Sequence, residues 1–323
     1  IEAGTDYYAL NHTRSRKVGF YANPTYSYKH KYILTGTVRY DGSNRLGSAN
    51  SARWLPTWNI GASWNAHEED FFTRLFVPTF SHFTLRTSYS LTGESGVDFV
   101  NNANMIINSF NPWRPFSDMK ESGLKITEFP NDNLTYEKKH ELNIGADLGF
   151  LDNRINFVVD AYTRNNFDLI GPIYTDGVAG KSLKWGNVAA MKSKGIEFTL
   201  STRNIVREDF NWASSFTMAW NETNITRLDA TSRVVDLVKG TGYVQEGYPV
   251  RAIFSIPFVG LDREGLPVYI NQDGIETSYD IDFQENAPNK MSFLKYEGSA
   301  DANTMGSFGN IFTYKNFRLN VFM

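Results

Sequence analysis

From Trp54 to Trp64 every second residue is bulky or apolar: Trp54, Pro56, Trp58, Ile60, Ala62 and Trp64 alternate with Leu55, Thr57, Asn59, Gly61 and Ser63. Successive side chains of a strand point to opposite faces, so this period of two predicts a strand with one aromatic face and one mostly small, polar face. Tryptophan joins an apolar ring to a polar N–H, which suits the boundary between lipid and water. The stretch is eleven residues long, within the roughly 9–11 that a tilted strand needs to cross a bilayer. A membrane β-barrel strand is the first expectation.

The same pattern recurs along the chain. Lys17–Tyr28 and Tyr32–Asp41 read as a hairpin turning at Lys29-His30-Lys31, with Tyr32, Leu34, Gly36, Val38 and Tyr40 on one face. A Gly/Ser/Asn-rich loop fills 42–52, and the acidic segment Asn65–Phe72 reads as one helical turn after the tryptophan strand. Phe83–Leu91 alternates next. Tyr136–Gly149 alternates throughout, with Leu142, Ile144, Ala146 and Leu148 opposite Glu137, Glu141 and Asp147. Further strands are predicted over Arg154–Arg164, Gly195–Asn204, Asn211–Glu222 and Tyr248–Leu261, with a return at Leu266–Ile270 and a closing hairpin around Lys315-Asn316. Region 271–307 reads as polar loop. The connections at 151–153 and 207–209 are tight, while 93–133, 168–193 and 223–247 read as long. Outer-membrane barrels show this asymmetry, with short periplasmic turns and long extracellular loops. A polar face lining a lumen would also accommodate Glu137, Glu141, Asp147 and Asp160, which are costly in lipid.

Composition narrows the classes. The chain has 323 residues, 15% aromatic, with 32 basic against 35 acidic residues and no cysteine. That near balance argues against nucleic acid as a partner. Absent cysteine excludes disulfides and thiolate metal sites. No apolar run reaches six residues, which excludes a transmembrane helix but not strands whose apolar half is hidden by alternation. No signal peptide starts at Ile1 and the alternation continues to the last residue, so the expectation is a piece of something longer. Alternation alone leaves a soluble β-protein open.

Several stretches together resemble one family. Tyr40–Gly47 (YDGSNRLG), Leu55–Phe72 (LPTWNIGASWNAHEEDFF), Leu85–Gly93 (LRTSYSLTG), Tyr136–Gly149 (YEKKHELNIGADLG), Phe150–Leu169 with its LDNR turn, Gly186-Asn187-Val188, Lys194–Glu197 and Phe312–Leu319 follow the order found in SusC-like TonB-dependent transporters. The resemblance implies an all-β chain: a transmembrane antiparallel β-barrel, here about ten to twelve strands of a larger, 22-stranded one. Residues 1–323 would be part of the barrel domain, with the plug domain, TonB box and final strands absent. It further implies the outer membrane of a Bacteroidetes-type bacterium, import of an oligosaccharide or peptide, a SusD-like surface lipoprotein as lid, and energy from TonB. A passive porin-type barrel and a soluble β-rich glycan-binding module are the alternatives.

Candidate chemistry is sparse. His67-Glu68-Glu69-Asp70 lacks a helical i, i+4 histidine pair. Asn271-Gln272-Asp273-Gly274, with Glu276, Asp280 and Asp282, offers oxygen ligands for calcium but departs from the EF-hand spacing and reads as an Asp-Gly turn. Gly240-Thr241-Gly242 lacks the third glycine of a dinucleotide fingerprint. With five scattered histidines and no Gly-x-Ser-x-Gly elbow, no triad assembles. The expectation is no enzyme, no cofactor and no metal. In the long loops, Trp113 with Arg114 offers a flat ring for stacking and a fork for carboxylates, and Trp185 offers another ring; packing against neighbours is the competing role for these substrate-binding candidates.

Overall fold

The computed structural model describes residues 14–44, 46, 49–75, 79–94, 105–110, 122–129, 131–174, 183–286 and 291–323. In chain order the strands are β1 (Lys17–Ala22), β2 (Thr25–Tyr28), β3 (Tyr32–Ser43), β4 (Trp54–Asn65), β5 (Phe80–Glu94), β6 (Ile106–Phe110), β7 (Gly123–Glu128), β8 (Glu137–Phe150) and β9 (Ile155–Tyr174). There follow β10 (Leu183–Val206), β11 (Phe210–Leu228), β12 (Ala252–Ser255), β13 (Phe258–Leu261), β14 (Pro267–Ile270), β15 (Glu276–Thr277), β16 (Lys295–Ser299), β17 (Thr304–Tyr314) and β18 (Phe317–Phe322). One 11-stranded antiparallel sheet, in the order β1-β3-β4-β5-β8-β9-β10-β11-β17-β18 with β2 also on β3, forms the wall. The expectation of ten to twelve strands is borne out.

Tight turns mark one end of this wall. Lys29 and His30 have φ of 52° and 58°, and Leu151, Asp152 and Asn153 have 54°, 55° and 58°. A tight hairpin needs such left-handed residues because its twist must match that of the strands. A 3-10 turn (Ala66–Glu68) and a short helix (Asp70–Leu75) join β4 to β5 at this same end. β1 and β2 lie along one strand, interrupted at Asn23-Pro24: proline cannot donate to the ladder, and its carbonyl instead accepts from Gly36 N–H at 2.9 Å.

The wall is two-faced. Leu34, Ile60 and Ile144, on the outer face, are 53%, 57% and 50% exposed, and aromatic pairs flank the apolar band. Tyr40 stacks on Trp54 (5.0 Å between ring centroids) and Trp58 meets Tyr89 edge-on at 5.3 Å near the long-loop end. Near the tight-turn end Phe80 meets Phe150 at 4.6 Å and Trp212 stacks on Phe312 at 5.6 Å. The band cuts the ladder obliquely. One hydrogen-bonded row runs Gly36, Ile60, Tyr89, Leu142, Thr163, Lys194, Glu222, passing from apolar to charged. Strands tilted in a barrel carry each row out of the membrane plane in this way.

Several expectations are corrected: region 271–307, read as loop, carries β15, β16 and the start of β17, and β11 runs to Leu228. The long connection over 168–193 is largely strand, since β9 reaches Tyr174 and β10 starts at Leu183. Asp168 adopts φ 58° and the β9–β10 register slips on both sides of Ala189, so bulges break the alternation there. The strand predicted over Tyr248–Leu261 is two short strands in different sheets, β12 on β16 and β13 on β14, separated at Ile256-Pro257. Both sheets belong to a long excursion, 229–303, between β11 and β17. A separate core of Val234, Leu237, Ala252, Phe254 and Met291 holds β12 and its neighbours.

Candidate functional site

The inner face carries the polar chemistry. From β5, Arg86 donates to both oxygens of Asp147 on β8 (Nε–Oδ2 2.8 Å, Nη2–Oδ1 3.0 Å) and to Asp160 on β9 at 3.2 Å. These side chains cross over Gly145, which pairs with both Arg86 and Asp160 in the ladders. A Cβ at Gly145 would overlap the Asp160 carboxylate and stand 3.0 Å from Arg86 Nη2. Closer to the long-loop end, Glu141 joins Lys139 (2.7 Å) and Arg164 (3.1 Å), and the Arg164 guanidinium lies 3.9 Å from the centre of the Tyr162 ring. Opposite charges on this face thus neutralise one another. Such a wall tolerates water and polar solutes, whereas lone charges would raise a field against one sign of cargo.

At the mouth a groove of about 480 Å³ is lined by Lys17, Arg39, Asp41, Leu55, Glu94 and Tyr136. Beneath it Leu46, Leu55, Leu134 and Tyr136 form a buried cluster with Ile170 and Trp185 packed against it. Asn187 ties this region together. Its side chain accepts from Thr135 N–H at 2.9 Å and donates to the carbonyls of Thr135 at 3.0 Å and Asp168 at 2.5 Å.

Of the sequence-derived candidates, Trp185 sits half-buried on that cluster, and its carbonyl accepts from the Asn131 side chain at 2.8 Å. Trp113 and Arg114 lie outside the described residues. The acidic segment after β4 has a structural partner set: Glu69 accepts from Lys31 Nζ at 2.9 Å, Tyr32 Oη at 2.7 Å and Trp64 Nε1 at 3.4 Å. The hydrogen bond from Lys31, joined by that from Tyr32, holds the Glu69 carboxyl below its ordinary range. In the outer excursion Asn271 is buried, and its side-chain oxygen accepts from the N–H groups of Asp273 and Ile275. It therefore shapes an Asx turn. The Arg86–Asp147–Asp160 cluster was half visible in the sequence. The carboxylates fall on the polar face, but only the pairing register brings one arginine to both.

Comparison with known proteins agrees with this geometry. Residues 2–319 match the family described as TonB dependent receptor-like, beta-barrel. TonB-dependent receptor P3 of Formosa agariphila is 26% identical over 94% of this chain and 31% of its own length. TonB-dependent receptor SusC of Bacteroides thetaiotaomicron is 31% identical over 67% of this chain and 21% of its own length. Among solved structures, the RagAB peptide transporter superposes with a TM-score of 0.76 at 22% identity, over 95% of this chain and 33% of that one. The chain thus spans about a third or less of these relatives. It belongs to the TonB-dependent receptor-like β-barrel family, and its sheet is part of an outer-membrane barrel wall.

Proposed function

We propose that this chain forms part of the barrel domain of a SusC-like importer that carries an oligomeric nutrient, an oligosaccharide or a peptide, across the outer membrane. TonB supplies the energy through a region outside these residues, and a SusD-like lipoprotein closes the extracellular mouth. The observation that carries this reading is the opposition of the two faces: an apolar band exposed outward, and an inner face of paired charges. A soluble glycan-binding module would have to cover the outer band with a second layer, because so large an exposed apolar surface is unstable in water. Membership of the TonB-dependent receptor-like family favours energised import over a passive pore. Trp113 and Arg114 in the long loop, and Trp185 at the mouth, are the proposed contacts to substrate, through ring stacking and carboxylate binding.

Uptake by the source bacterium tests this. Deleting the full-length gene is expected to abolish growth on one class of oligomer while growth on its monomers persists. Inactivating TonB should have the same effect. Uptake that continues without TonB would identify a passive pore, and fractionation away from the outer membrane would overturn the barrel reading.

A further inference from the structure

Just inside the tight-turn end, the outer face carries a groove of about 300 Å³ lined mostly by aromatic and aliphatic residues, with Ser63, Arg86 and Thr87 also contributing. Two neighbouring ladder rows build it: Tyr26–Leu34–Ala62 and Tyr28–Tyr32–Trp64–Leu85. Rings stand on either side of a floor at Ala62, whose methyl group leaves a channel between them. The turn Lys29-His30-Lys31 lies at the end of this channel. Glu69 takes up Lys31, whereas Lys29 Nζ lies 5.4 Å from the centre of the Tyr28 ring and has no ion pair among the described residues. The turns at 151–153 and 207–209 bring Asp152, Glu208 and Asp209 to the same end, and these would repel an anion.

We propose that this groove is a binding site for one phospholipid of the periplasm-facing leaflet. One acyl chain lies over Ala62 between the tyrosines and Trp64, and the phosphate is held by Lys29 with His30 beside it. Aromatic rings and lysine at a membrane interface, an apolar channel and an unpaired cation meet here in the order in which a phospholipid presents chain, glycerol and phosphate. The proposal rests on the outer face being embedded in membrane. A lipid held here would brace the β2–β3 turn.

Native mass spectrometry of the full-length protein in mild detergent tests it. Wild type is expected to retain one phospholipid. Lys29→Gln should lower that retention about fivefold, the worth of one lysine at an anionic surface. Ala62→Trp, which fills the channel, should abolish it, while Lys315→Gln at another turn should leave it unchanged. Retention unaffected by both Lys29→Gln and Ala62→Trp, or lowered equally by Lys315→Gln, overturns the site. Phosphate bound without acyl chains, and still bound after Ala62→Trp, overturns it as well. Flotation with phospholipid vesicles separates the two levels: protein that fails to float overturns the membrane reading, and protein that floats without a retained lipid overturns only the site.

Discussion

At Gly145 one hydrogen atom in place of a methyl group lets three charges meet. Arg86 reaches Asp147 and Asp160 across this position because nothing stands above the backbone there. Replacing Gly145 by Ala is expected to push Arg86 from Asp160 and lower barrel stability by about 1 kcal/mol, the net worth of one such contact. Arg86→Met leaves the carboxylates without their shared cation. Because all three groups are partly open to solvent, the expected loss is about 1–2 kcal/mol rather than that of a fully buried pair. Urea unfolding of the refolded barrel measures both, and Gly145→Ala should cost less in the Arg86→Met background. At Glu69 the sign of a pH effect is fixed. Its carboxyl is held below its ordinary value by Lys31 first and Tyr32 second, so it contributes stability above that value and loses it as pH falls through the lowered one. Amide exchange around 29–33 and 64–70 should speed up on acidification below about pH 4.5. Glu69→Gln should show that faster exchange at neutral pH already and lose the acid dependence.

Among the elements, β9 shows most directly how the membrane is written into a strand. Outward residues run Ile155, Phe157, Val159, Ala161, then Thr163 and Asn165. A lysine at Val159, mid-band, should destabilise folding into vesicles by about 2–4 kcal/mol, whereas Asn165→Lys should cost about 0–1 kcal/mol. Equal costs at the two positions would contradict the depth assigned to the band. The strands legible in the sequence were those with unbroken alternation, such as β4, β5 and β8. Where a bulge slips the register, as at Asp168 and around Ala189, the period of two fails and strand reads as loop. Pairing partners were not legible, because alternation gives a face but not a neighbour; Arg86 had no partner until β5 and β8 were set side by side. Trp185 illustrates another limit. An aromatic beside a glycine reads the same in the sequence whether or not it rests, as Trp185 does, on a buried cluster gathered from distant segments.

For the molecule as a whole, the wall strands pair in chain order save that β1 and β2 both lie on β3, and among the described residues only two connections, β5 to β8 and β11 to β17, carry strands outside the wall. On the import reading proposed above, cargo meets those departures and the inner face, while the outer face meets lipid. A receptor whose long loops are exchanged for those of a relative should keep its heat-stable fold on electrophoresis and change its cargo. Loss of folding on such an exchange would show that the loops hold the wall together.

The 229–303 excursion has its own packed centre, built on Val234, Leu237 and Phe254, and it leaves and re-enters the wall at paired strands. Closing a flexible loop becomes only slowly more unfavourable with length, by about 0.6 kcal/mol for each doubling. With its own core formed, and with Ile225 of β11 donating to Tyr248 and accepting from Gly247 beyond the Trp220–Thr304 pair, this excursion meets the wall as a packed unit rather than a long free tether. Ordering that unit first shortens the free chain that must close before β17 pairs with β11. Changes inside that packed centre are therefore expected to reshape what lies outside the membrane while leaving the β11–β17 ladder intact, provided the strip from Glu246 to Pro249 that bonds to β11 is kept.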